Sequence, residues 1–137
     1  MSIAAGLRRA VRTRAQGRCE YCGLAQAGQE ATFHIDHIVP IVAGGDASME
    51  NLALACVSCS LRKAARMLAT DPQTGREVRI FHPQREVWPE HFRWEGVQVV
   101  GLTPGGRATV AALNLNRSMA LAIRAEEMLH GRHPPPQ

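Results

Sequence analysis

The fold is decided between residues 19 and 63, where the chain reads CEYC (19–22), HIDHIVP (34–40), GG (44–45), NLAL (51–54) and CVSCSLRK (56–63). Each Cys-x-x-Cys pair can present two thiolates from one tight turn, so two pairs can close a tetrahedral zinc site. Two redox motifs or buried free thiols are the alternatives, but the βαβ setting of a thioredoxin-like motif is absent from the pattern. We therefore predict a structural Zn²⁺ with no open position for substrate, bound by Cys19, Cys22, Cys56 and Cys59.

The segment between the cysteine pairs carries residues suited to phosphodiester hydrolysis, which needs an activated water and neutralised charge at phosphorus. His37 is the candidate general base, because a histidine side chain is largely neutral near pH 7. Asp36 is the candidate ligand for Mg²⁺ or Mn²⁺, which prefer oxygen. Strand alternation places the two on opposite faces, so both reach one site only if the strand ends or bends there. The alternative is that His37 packs locally and Asp36 caps a turn.

The run from Cys19 to Lys63 resembles the HNH endonucleases, whose ββα-metal motif reads Asp-His-Ile, Gly-Gly, Asn-Leu, then Cys-x-x-Cys with a polar ligand and Lys. The resemblance implies an α+β fold with a ββα-metal core on a four-cysteine zinc knuckle. It also implies that Asn51 forms a hydrogen bond that orients His37. Ser60 stands where the family usually carries Asn or His, and would be the second protein ligand of the catalytic metal.

The function implied by the resemblance is metal-dependent hydrolysis of DNA phosphodiester bonds, nicking one strand with a single catalytic Mg²⁺ or Mn²⁺. Because a serine hydroxyl is a weaker ligand than histidine, one alternative is a catalytically weakened or inactive HNH-fold zinc protein that binds nucleic acid. A zinc-stabilised protein-interaction domain is another alternative, and it predicts no salt-dependent affinity for DNA.

The charge pattern favours an anionic partner, which we expect to be double-stranded DNA. The chain of 137 residues has a formal net charge of +4, and fifteen of its sixteen basic residues are Arg, which suits bidentate phosphate contact. Basic residues cluster before Glu20 and again after Cys59. The predicted DNA contacts are His34, Arg62, Lys63, Arg66, Arg8 and Arg12. The sequence carries no indication of oligomeric state.

The expected organisation is one domain over residues 1–137, with a core at 17–68, an extension at 69–130 and a disordered tail at 131–137. No apolar run approaches the roughly 20 residues that span a bilayer, and the N-terminus lacks the hydrophobic segment of a secretory signal. We therefore expect no membrane association and a reducing, cytoplasmic compartment.

Periodicity and turn residues predict the secondary structure. A basic helix is expected over 3–16 and a strand over 32–39, and Ile41 and Val42 could start a second strand. Ser48 is expected to cap a helical segment containing Asn51 and Leu52. Beyond these, the pattern predicts a helix at 57–68, strands at 77–81, 91–95 and 97–101, and a helical C-terminal lobe with helices at 107–115 and 117–130. The aromatic residues Trp88, Phe92 and Trp94 are expected to anchor the core rather than to stack on bases.

Overall fold

A computed structural model describes residues 3–136 of the chain. Within that range, five α-helices and three two-stranded antiparallel sheets surround one apolar core. The helices are α1 (Ala5–Arg14), α2 (Val57–Lys63), α3 (Trp88–His91), α4 (Pro104–Ala112) and α5 (Ser118–Leu129). The strands are β1 (His34–His37), β2 (Leu52–Ala55), β3 (Leu68–Thr70), β4 (Glu77–Arg79), β5 (Phe92–Glu95) and β6 (Gln98–Gly101). None of the described helices is both long and apolar enough to cross a membrane.

The β1–β2 hairpin and α2 form the ββα unit that was expected. β1 and β2 are antiparallel, with His34 opposite Ala55 and His37 opposite Leu52. Cys56 then begins α2, because its Sγ accepts the backbone N–H of Cys59 and caps the helix. All four residues of β2 are buried, since α1 packs against this strand. The predicted α+β fold with a cysteine knuckle and a basic N-terminal helix is confirmed.

The stretch after Ser48 differs from its predicted helix. Residues 49–51 make a single 3₁₀ turn, and 52–55 form the strand β2. Four consecutive apolar residues, Leu-Ala-Leu-Ala, suit a strand buried on both faces, and periodicity alone does not separate such a run from a buried helix. The possible strand at Ile41 is also a 3₁₀ turn, over Ile41–Ala43.

Helix α2 is shorter than the predicted 57–68. It ends at Lys63 because Ala64 adopts φ 48° and ψ −130°, a backbone conformation that favours glycine and stops the helix. The chain then extends into β3, which pairs with β4 in a hairpin that the sequence did not predict in full. Strands β5 and β6 form the third hairpin, close to the predicted bounds.

The C-terminal lobe is joined to the rest of the molecule by aromatic and ionic contacts. Trp88 stacks on Trp94 with ring centroids 5.1 Å apart, and Trp88 Nε1 donates to the carbonyl of Tyr21 at 3.0 Å. These aromatic residues are core anchors, as predicted. Asp71 is fully buried and accepts two hydrogen bonds from Arg107 of α4, which hold the pKa of this carboxyl well below its usual range. The β3–β4 hairpin is thereby fixed to α4.

The segment after α5 was predicted to be disordered over 131–137, but the described residues 131–136 are packed. The ring of His133 lies 4.6 Å from that of Trp94, and His133 Nε2 is 2.9 Å from the carbonyl of Gly96. Pro135 lies against Gly23, where an added Cβ would be 2.6 Å from Pro135 Cγ. Proline and histidine rings gain apolar contact here that composition alone does not reveal. Gln137 lies outside the described residues.

Candidate active site and zinc site

The four cysteines converge where the turn at 19–22 meets the start of α2. Their Sγ atoms all lie within 4.8 Å of one another, and all four residues are buried. Cys22 Sγ and Cys56 Sγ are 3.8 Å apart. A sulfur tetrahedron around Zn²⁺ has an edge of about 3.8 Å when the Zn–S distance is about 2.3 Å, whereas a disulfide is only about 2.05 Å long. The geometry therefore fits a zinc site and no disulfide.

The electrostatics of the cluster also favour a cation. Burial raises the pKa of the Cys19 thiol, whereas hydrogen bonds from the neighbouring cysteines lower the pKa of Cys56. Positive charge close by favours the thiolate form that binds a metal. Arg124 of α5 is 6% exposed and lines a small cavity with Cys22 and Cys56. It supplies one positive charge, and a dication held by all four sulfurs would supply two more. The donor set thus fits Zn²⁺ as a structural ion.

A second site opens beside β1 as a cavity of about 750 Å³. Asp36 and His37 both line it, although strand alternation would separate them. They meet because β1 ends at His37 and the chain bends at residues 38–39. The cavity also contains other predicted site residues, namely Arg8, Arg12, His34 and Ser60.

The carboxylate of Asp36 is held from behind by two buried side chains. Its Oδ2 accepts a hydrogen bond from Tyr21 Oη at 2.8 Å and pairs with Lys63 Nζ at 3.2 Å. Burial raises the pKa of Asp36, and the positive charge of Lys63 and the bond from Tyr21 oppose that shift. Because both contacts end on Oδ2, the other oxygen is the one that can face a cation.

Lys63 does not occupy the place predicted for it. Its side chain is 1% exposed, and besides Asp36 it contacts the carbonyl of His37 at 3.2 Å. A buried ammonium paired with Asp36 has no exposed surface to offer a phosphate, so the structure does not support the predicted DNA contact at Lys63. A sequence signal was present, since Lys63 is the chain's only lysine, and lysine supplies the compact point charge that fits beside a buried carboxylate.

Tyr21, by contrast, was not predicted as a site residue. It is fully buried between Cys19 and Cys22, and burial raises its pKa, so that it remains a neutral donor to Asp36. Its position inside the first Cys-x-x-Cys pair connects the turn at 19–22 to the carboxylate. The only sequence signal for Tyr21 is weak, namely a large aromatic residue between the two cysteines of a Cys-x-x-Cys pair.

Asn51 stabilises the loop beyond His37 rather than the His37 side chain. Its Oδ1 accepts the N–H of Val39 at 2.8 Å, and its Nδ2 donates to the carbonyls of Val39 and Asp46 at 3.0 and 2.8 Å. Gly45 permits this arrangement, because an added Cβ would lie 1.8 Å from the carbonyl oxygen of Val39. The structure therefore does not show the predicted hydrogen bond from Asn51 to His37. Asn51 instead holds the backbone of Val39, two residues after His37.

One ring nitrogen of His37, Nε2, is buried without a hydrogen-bond partner among the described residues. Unpaired buried polar atoms are rare in folded proteins, and a catalytic role is one explanation for such an atom. In the same cavity, His34 Nδ1 and Ser60 Oγ are 2.9 Å apart. The site thus contains two histidines, one carboxylate and the hydroxyl of Ser60.

The basic residues predicted to contact DNA divide into two groups. Arg8 and Arg12 line the cavity from α1. Arg62 lies on the exposed side of α2, where its Nε donates to Ser58 Oγ at 3.2 Å, and Arg66 donates to the carbonyls of Arg62 and Ala112. Neither Arg62 nor Arg66 lines the cavity, so their phosphate contacts remain predictions.

Comparison with protein families agrees with this geometry. Residues 19–66 match the HNH endonuclease family. The matched segment is about a third of the chain and spans both cysteine pairs, the β1–β2 hairpin and α2. It confirms the resemblance found in the sequence and indicates a nuclease or other nucleic-acid-related function. No curated protein and no solved structure matches the chain.

Proposed function

We propose that this protein is a metal-dependent endonuclease that nicks DNA by hydrolysing phosphodiester bonds with one catalytic metal ion. The observation that carries the proposal is the meeting of Asp36 and His37 in one cavity, beside two arginines of α1. A carboxylate, a histidine and basic side chains are the groups that metal-assisted hydrolysis of a phosphodiester needs.

In the proposed reaction His37 accepts a proton from the attacking water. Lys63 and Tyr21 hold Asp36 in place, and Lys63 also holds the main chain at His37, so the base and the carboxylate keep a fixed relation. A bound Mg²⁺ or Mn²⁺ would neutralise charge on the phosphate and the leaving oxygen. Its protein ligands would include Asp36, whose carboxylate oxygens suit both ions.

The cavity wall formed by α1 suits the DNA backbone. Arg8 and Arg12 lie one helical turn apart on α1, and the guanidinium of Arg12 donates to the carbonyl of Phe33 at 3.3 Å. Their spacing lets both side chains face adjacent phosphates across the cavity. We propose double-stranded DNA as the substrate, with an affinity that falls as salt rises.

A second candidate, a DNA-binding protein with weakened or no catalysis, is favoured by one observation. Ser60, at the position of the expected second metal ligand, is hydrogen-bonded to His34. If Ser60 does not bind the metal and no other side chain does so in its place, only Asp36 and water would hold the ion. Turnover would then be slow.

Nicking of supercoiled plasmid by zinc-loaded protein, with and without Mg²⁺ or Mn²⁺, distinguishes the two candidates. The test variant is His37→Ala. The matched control is His130→Ala, an exposed histidine on the last turn beyond α5 that does not line the cavity. We expect metal-dependent nicking by wild type and by the control, and its loss in His37→Ala by at least about a hundredfold. Equal nicking by His37→Ala would refute the role of His37, and DNA binding without nicking by any of them would favour the second candidate.

A further inference from the structure

The most informative unexplained contact in the cavity is the one between His34 and Ser60. His34 Nδ1 lies 2.9 Å from Ser60 Oγ, and the His34 side chain is exposed to the cavity. His34 and Asp36 are alternate residues of β1, so they lie on the same face of the strand. Opposite them on β2 stand two small residues, Ala55 and Ala53.

We propose, on the basis of the endonuclease function above, that His34 is the second protein ligand of the catalytic metal and that Ser60 orients its ring. The contact to Ser60 uses Nδ1, so Nε2 is the ring nitrogen left to bind a cation. Metal-binding histidines almost always donate their other N–H to an oxygen, which fixes the tautomer and the ring orientation. Ser60 Oγ is in position to accept that N–H.

The alternative ligand, Ser60 itself, is less suited. A neutral hydroxyl binds a divalent cation weakly, and this hydroxyl is already engaged by an imidazole. Among the described residues, the cysteine cluster is the only group of three or more His, Cys, Asp or Glu side chains placed to share an ion. The proposed catalytic ion would therefore have few protein ligands. If one of them is the imidazole nitrogen of His34 instead of the hydroxyl of Ser60, the site prefers different cations.

The choice between His34 and Ser60 as the second ligand decides which metal ion the site prefers. Carboxylate, hydroxyl and water ligands suit Mg²⁺, whereas an imidazole nitrogen favours first-row transition ions such as Mn²⁺ over Mg²⁺. A site built on Asp36 and His34 therefore binds Mn²⁺ more tightly than Mg²⁺. A site built on Asp36 and Ser60 has no such nitrogen.

Electron spin echo envelope modulation of bound Mn²⁺ tests the proposal without depending on turnover, because a directly bound imidazole gives a ¹⁴N modulation. The protein is zinc-loaded, and zinc is silent in this measurement. The variants are His34→Gln, Ser60→Ala and His37→Ala, with His130→Gln as the matched surface control. Zinc content and circular dichroism establish that each variant is folded.

We expect a ¹⁴N modulation in wild type, in Ser60→Ala, in His37→Ala and in His130→Gln, and its absence in His34→Gln. Affinity for Mn²⁺ should fall by about tenfold or more in His34→Gln, and by a smaller factor in Ser60→Ala, where only the orienting contact is lost. The proposal is overturned if the modulation persists in His34→Gln, if it disappears in His37→Ala instead, or if wild type shows none.

The plasmid assay separates this proposal from the one on which it rests. Wild-type protein that nicks DNA yet shows no ¹⁴N modulation would retain the endonuclease function and eliminate His34 as a ligand, leaving it a phosphate contact. Wild-type protein that neither nicks DNA nor binds Mn²⁺ would eliminate both.

Discussion

Replacing Lys63 with methionine should make the stability of this protein depend strongly on pH. Methionine retains most of the apolar stem of lysine but removes the charge that faces Asp36. In the wild type the two groups are 3.2 Å apart, with side-chain exposures of 1% and 9%. Breaking a buried ion pair by removing one partner typically destabilises a protein by about 3–5 kcal/mol, because the remaining charge is uncompensated.

Protonation of Asp36 limits the destabilisation caused by Lys63→Met, because a neutral carboxyl leaves no uncompensated charge. Neutralising a carboxyl of ordinary pKa requires about 4 kcal/mol at pH 7 and about 1.5 kcal/mol at pH 5. Burial already raises the pKa of Asp36, and removing Lys63 raises it further. A group whose pKa is raised by folding contributes stability at low pH and loses it as pH rises. The deficit of Lys63→Met should therefore shrink by up to about 2.7 kcal/mol between pH 7 and pH 5.

The stability deficit of Lys63→Met is measured by urea unfolding of both zinc-loaded proteins at a series of pH values, in buffer free of other divalent ions. The zinc thiolates also respond to pH, but they do so equally in both proteins and cancel in the difference. When both proteins carry Asp36→Asn, the deficit caused by Lys63→Met should not depend on pH. A deficit that stays constant from pH 5 to pH 7 would refute the argument that Lys63 compensates a buried Asp36.

Three further predictions concern the metal, the loop and the end of α2. Chelation of zinc, or Cys59→Ser, should unfold the domain, since structural zinc contributes folding energy directly; circular dichroism that is unchanged after verified zinc removal would contradict this. Gly45→Ala should lower stability by about 1–3 kcal/mol, because its Cβ would meet the carbonyl of Val39; thermal unfolding measures the loss, and an unchanged midpoint would show that the loop is not tightly packed. Ala64→Gly should raise stability by about 1 kcal/mol, because Ala64 has φ 48°; the same assay tests it, and a lowered midpoint would be the opposing result.

Much of the fold followed from local signals in the sequence. Two Cys-x-x-Cys pairs predict a zinc knuckle whatever lies between them, since each pair is a single turn. The apolar spacing of α1 and the turn residues around the later hairpins placed most elements within a few residues. The strand β2 was missed because its Leu-Ala-Leu-Ala run shows neither helical nor alternating polarity, and only pairing with β1 defines it.

The sequence predicts Asp36 and His37 as site residues from their chemistry and from the family resemblance, and this stays a prediction. That both line one cavity depends on where β1 ends, which is a tertiary result. The same holds for the partners of Asp36. Tyr21 lies 15 residues before it and Lys63 lies 27 residues after it, and neither spacing carries a local signal.

By itself the sequence determined the family that residues 19–66 match, and it predicted a cysteine metal site and the carboxylate–histidine pair. All three depend on residue types at short spacing. Only the tertiary structure decided which basic residues face the cavity. A lysine and an arginine look alike as charges in a sequence, but Lys63 is buried against Asp36 while Arg8 and Arg12 line the opening. Burial decides whether a charge pairs inside the protein or remains free for a ligand, and burial is a property of the packed chain.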